Sequence, residues 1–122
     1  MDVPTQTHLK ALRDGLEFRL AELRAEIHAA ELVRRSPQDM TDVDDRKDEA
    51  LRLQAAEVGE AEEQRDVDEL QAVVAALDRL DAGRYGDCAD CGEPIGLERL
   101  RVQPAAERCA HCQQAHEHRS PR

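Results

Sequence analysis

The chain has 122 residues, a formal net charge of -10, 36% charged side chains, and only two aromatic residues, Phe18 and Tyr85. So few large apolar groups exclude a big globular core, and the Leu, Ala and Val that remain suit long amphipathic helices. The acidity excludes electrostatic attachment to nucleic acid or an anionic membrane, because phosphate binding needs clustered Lys and Arg. The N-terminal stretch Met1–Lys10 has no apolar segment of signal-peptide type, and no apolar run is long enough to span a bilayer. These features point to a cytoplasmic protein.

From about Thr7 to Arg35 the apolar residues fall at Leu9, Leu12, Leu16, Leu20, Leu23, Ile27 and Ala30. The spacing alternates between three and four, the seam of a coiled coil. A helix of this length reaches roughly 40 Å at 1.5 Å per residue. Gly15 interrupts it at a cost of about 1 kcal/mol relative to Ala. Ser36-Pro37 ends it, since Pro disfavours the helical conformation in the residue before it.

The linker Gln38–Asp45 is short and acidic, and Thr41 or a following aspartate can cap the next helix. That second helix is expected from about Asp44 to Asp81, with its apolar register at Val67, Leu70, Val74 and Leu77, extended backward through Leu53 and Ala56. Its mid-section carries Glu60 and Glu63. With a fold-back near residue 40, Arg19 would face Glu60 or Glu63 in a polar layer that specifies register more than it adds stability; a loose, solvated mid-section is the alternative.

Ala82-Gly83-Arg84-Tyr85-Gly86 closes the second helix. Beyond it stand the only four cysteines, Cys88, Cys91, Cys109 and Cys112, as two C-x-x-C pairs with seventeen residues between them. Four thiolates at this spacing suit a tetrahedral zinc ion, each knuckle supplying two sulfurs from one tight turn. Gly92 fits a knuckle whose backbone must take positive φ. Two disulfides would need an oxidising compartment, and a redox C-x-x-C or a rubredoxin-like iron site uses the same residues. Ile95, Leu97, Leu100 and Val102 are too few to fold this segment alone, so metal must supply much of its folding free energy. A short helix follows Cys112. His111, His116 and His118 are not needed as ligands, because four thiolates fill a tetrahedral site.

The fold class is therefore mainly α: a long antiparallel helical hairpin over residues 1–84, with an acidic tip near 36–50, and a C4 zinc finger with a short C-terminal helix over 85–122. A narrow rod with carboxylates at its end can serve as a probe that reaches into a deep channel.

The run from Tyr85 to Cys112, with Gly86, the four cysteines, Gly92, Ile95, Gly96, Arg99, Leu100 and Pro104, resembles the DksA/TraR C4-type zinc finger. Ala89 departs from it, where many members carry an acidic residue. The tip reads Asp45-Arg-Lys-Asp48-Glu-Ala50, similar to the Asp-x-x-Asp-x-Ala motif of the family's RNA-polymerase regulators. The resemblance implies a factor that binds RNA polymerase rather than a DNA sequence. Its hairpin would enter the secondary channel and bring Asp45, Asp48 and Ala50 towards the catalytic centre, with the finger on the rim. It implies one zinc per chain, no catalysis of its own, no membrane partner and a monomer. Members that respond to guanosine tetraphosphate in the stringent response carry basic residues where this chain has Ala72, Gln103 and Gln113, so weak nucleotide dependence is expected. A zinc-stabilised adaptor for another protein, or a redox sensor using the thiols, are the rival readings.

Overall fold

The structure, a computed structural model, describes residues 2–35 and 46–119, and the side chains of 2–34 and 57–118. Among the described residues there are four helices: α1 (Gln6–Arg35), α2 (Arg46–Ala82), α3 (Leu97–Val102) and α4 (Ala110–Arg119). The chain divides into two compact units, Met1–Leu20 with Gln71–Arg122, and Ala21–Leu70. The Ser36-Pro37 stop, the Gln38–Asp45 linker, Thr41 and Asp44 lie outside the described residues.

Helix α1 begins one residue before Thr7, and its start is built by a reciprocal cap. The His8 amide donates to Thr5 Oγ1 at 3.4 Å while the Thr5 amide donates to His8 Nδ1 at 3.0 Å. This is the geometry of a capping box with His in the place usually taken by Glu or Gln. All seven expected seam positions of α1 are buried or half-buried, with Leu16 and Leu23 fully so. Helix α2 ends in a Schellman motif. Gly83 takes φ 74°, its amide reaches the Leu80 carbonyl at 3.2 Å, and the Arg84 amide reaches the Arg79 carbonyl at 2.8 Å.

In the first unit α1 and α2 run antiparallel, tied by Arg13 and Asp81 at 2.9 Å. Val67, Leu70 and Leu77 of the expected α2 register are half-buried, but the register departs at Val74. Val73 is 2% exposed and Val74 37%. The two valines are adjacent and about 100° apart around the helix, so only one can face α1. Val73 continues into Ala76 and Leu80, and buried Ala76 allows close helix approach. The backward extension through Leu53 and Ala56 falls on side chains outside those described.

In the second unit the helices are again antiparallel. Arg34 clasps the Glu63 carboxylate with two nitrogens, at 2.7 and 3.2 Å. Glu63 therefore pairs with Arg34 near the end of α1. No helix among the described residues is long and apolar enough to cross a membrane.

Candidate metal centre

Between Tyr85 and Val102 the backbone is shaped by three glycines with positive φ, Gly86 (92°), Gly92 (78°) and Gly96 (102°). At Gly86 a side chain would also sit 3.7 Å from Leu100 Cδ1. The expected left-handed turn after Cys91 is present. An isolated antiparallel bridge joins Asp87 to Pro94, and Cys88 N–H bonds to the Glu93 carbonyl at 2.9 Å, closing the first knuckle. The Ala89 amide reaches the Glu107 carbonyl at 2.8 Å and brings the second knuckle alongside.

Each knuckle turns a backbone amide onto its own first sulfur. Cys91 N–H points at Cys88 Sγ at 3.5 Å, and Cys112 N–H at Cys109 Sγ at 3.4 Å. In the second knuckle Cys109 directly precedes the first residue of α4, so its sulfur sits at a helix N-terminus. α4 thus starts earlier than expected and carries Cys112 in its first turn.

The four sulfurs lie within 4.8 Å of one another, Cys91 and Cys109 are 4.0 Å apart, and all four cysteines are free. An ion about 2.3 Å from each of four sulfurs gives tetrahedral edges of about 3.8 Å, so the cluster fits zinc. The protonation chemistry agrees. Burial would raise the Cys88 thiol, but backbone amides of Cys109, Cys91 and Asp90 bring it down to about 6. Cys112 is pushed up to about 12, first by its hydrogen bond with Cys109 and then by burial. Thiols so crowded cannot all ionise until a cation joins them. The three C-terminal histidines are not in the cluster.

Around the sulfurs sits a small core of Cys88, Ile95 and Leu100, with Leu12 of α1, Tyr85, Cys109 and Cys112 packed against it. Val102, expected among the core residues, is 78% exposed because it closes α3 on its outer side. The Tyr85 hydroxyl donates to the Pro104 carbonyl oxygen at 2.8 Å. Asp2 reaches the finger from the N-terminus, its carbonyl accepting the Leu97 amide at 2.8 Å.

Beside the centre, a cavity of about 610 Å³ lies between the end of α2 and α3–α4. Ala72, Gln103 and Gln113, far apart in sequence, all line it, with Arg79, Arg99, Arg108, Glu107 and Glu117. Its arginines are largely engaged: Arg79 donates one terminal nitrogen to the Ala106 carbonyl but keeps a buried Nε without a partner, Arg99 donates to the Arg108 carbonyl, and Arg108 to Asp90 and Glu107. Of the expected tip residues, Asp45 lies outside the described residues. Asp48 and Ala50 are helical, at the start of α2.

Residues 83–118 match the family model of the prokaryotic dksA/traR C4-type zinc finger. Over 44 residues the chain is 48% identical to the RNA polymerase-binding transcription factor DksA of Caulobacter vibrioides (strain NA1000 / CB15N); that stretch is 36% of this chain and 31% of the relative. The likeness to transcription factor DksA2 from Pseudomonas aeruginosa is far longer: 31% identity and a TM-score of 0.75 over 96% of this chain and 88% of that one. The chain belongs to the DksA family.

The DksA fold also relates it to a DnaK suppressor protein from Agrobacterium tumefaciens C58, at 25% identity and a TM-score of 0.60 over 94% of this chain and 99% of that one. In DksA terms the four cysteines form the C4 zinc-finger site, which rules out the two-disulfide reading. Sequence reasoning did not find Asp90 and Arg108, which join the two knuckles at 3.0 Å. Their only signal was opposite charge, Asp90 inside the first cysteine pair and Arg108 directly before the second.

Proposed function

We propose that this protein is a transcription regulator that binds RNA polymerase directly and alters promoter-complex stability. The observation that carries the reading is the likeness to a DksA transcription factor across nearly the whole chain, helices and finger together. The α1–α2 pair would enter the secondary channel. Asp45, Asp48 and Ala50 of the tip would reach the catalytic centre, the two aspartates bringing negative charge to it. The zinc, held by Cys88, Cys91, Cys109 and Cys112, fixes the finger from which the helices project and takes part in no reaction. The protein acts as a cytoplasmic monomer, reads no DNA sequence, and catalyses nothing itself. Its net charge of -10 supports a protein partner with basic surfaces over nucleic acid.

Ala72, Gln103 and Gln113 put no cation at three positions of the cavity beside the finger, and Glu107 and Glu117 face the same space. A multiply charged anion loses most charge-assisted contacts in such a place. The regulator therefore works with little dependence on guanosine tetraphosphate there. The test is direct binding of the zinc-loaded chain to purified bacterial RNA polymerase, with and without the nucleotide. The reading expects saturable binding that the nucleotide leaves unchanged. Absence of binding overturns it, and a strong nucleotide effect overturns its second part.

A further inference from the structure

The two cysteine knuckles come from segments separated by seventeen residues, and each is stabilised mainly from within itself. What joins them before any ion arrives is a small set of contacts. The Ala89 amide bonds to the Glu107 carbonyl at 2.8 Å. Asp90, inside the first knuckle, accepts from Arg108 Nε at 3.0 Å, and Arg108 stands directly before the second. Arg108 also reaches Glu107 at 2.9 Å, while its own carbonyl takes the Arg99 Nε at 3.0 Å. The Arg108 side chain is 19% exposed and that of Asp90 35%, so the pair is only partly screened by water.

We propose that Asp90 and Arg108 form a clasp across the two knuckles that sets how long the finger retains its zinc. The clasp holds the sulfur pairs near their bound separation, so less ordering remains when the ion enters. Asp90 and Arg108 are positioning residues: neither touches the ion. Polar partners one step beyond a metal's ligands typically change its affinity about 10–100-fold when removed.

The experiment uses the full zinc-loaded chain and times metal release to a chromogenic chelator at fixed pH. The variants are Asp90→Asn, Arg108→Gln, the double variant, and the exchanged pair Asp90→Arg with Arg108→Asp. Each single variant should release zinc at least about 10-fold faster, the double should be no faster than the worse single, and the exchange should recover part of the loss. Cobalt-loaded variants should keep the parent's tetrahedral four-sulfur absorption, which separates a loosened site from a lost ligand. Release within two-fold of the parent in both singles overturns the clasp, as do additive effects or a changed cobalt spectrum. Asp90→Glu, which keeps the carboxylate, should stay near the parent; if it releases as fast as Asp90→Asn, the charge pairing is not the cause.

Discussion

The Tyr85 hydroxyl donates to the carbonyl oxygen of Pro104 at 2.8 Å, stitching the exit of α2 to the loop after α3. Burial pushes this phenol up to about 12, with Arg79 pulling slightly the other way; an unfolded tyrosine sits near 10. Between those values the unfolded chain has lost the proton and the folded one has kept it. Stability from this group is therefore whole below about pH 10 and is lost as pH rises through about 12. Because Tyr85 is the sole tyrosine and there is no Trp, phenolate absorbance reports it cleanly. A midpoint near 12 is expected, and one near 10 would contradict the buried hydrogen bond. Tyr85→Phe should cost about 1 kcal/mol.

Arg34 and Glu63 make a two-pronged ion pair in which the glutamate side chain is only 15% exposed. Forked geometry and partial burial place it above an ordinary surface pair, at about 1 kcal/mol. A double-mutant cycle with Arg34→Gln and Glu63→Gln, followed by urea unfolding, should show coupling of that size. An independent sum of the two effects would mean the pair adds nothing.

Gly15 lies within α1, and a methyl group there would meet no atom within 4 Å. Gly15→Ala should therefore stabilise the helix by about 1 kcal/mol. For a chain of this size that is roughly 4 °C in Tm, read by far-ultraviolet circular dichroism.

Removing zinc should unfold the finger and spare most of the long helices. Burying Ile95, Leu97 and Leu100 yields roughly 5–9 kcal/mol. Ordering some 35 residues costs on the order of 1 kcal/mol each, so the apolar core cannot hold the finger without metal. Chelation should raise amide exchange across residues 85–119, with protection in α1 and in α2 beyond Val67 falling far less. Acid should act in the same direction, since thiolates must lose protons to bind the ion.

How far these features could be read in advance depends on how local their causes are. The α1 seam was legible because seven apolar residues at alternating three and four spacing leave one face. The zinc site was legible because cysteine spacing encodes a knuckle directly. On α2 the register held at Val67, Leu70 and Leu77 but not at Val74, because Val73 and Val74 are equally apolar and only the partner helix chooses between them. The partner of Glu63, Arg34, was missed when Arg19 was set against Glu60 or Glu63, because no local pattern states a cross-helix pairing. The Thr5–His8 cap was hidden by a histidine in a glutamate's role. The pairing of Asp90 with Arg108 exists only once the two knuckles are folded side by side.

The central claim concerns the acidic tip, and its most direct measurement is regulated transcription in vitro with Asp45→Asn and Asp48→Asn combined. The account predicts that the double variant still binds RNA polymerase, because the finger and helices are intact, yet no longer alters promoter-complex lifetime. Undiminished regulation by that variant would contradict it.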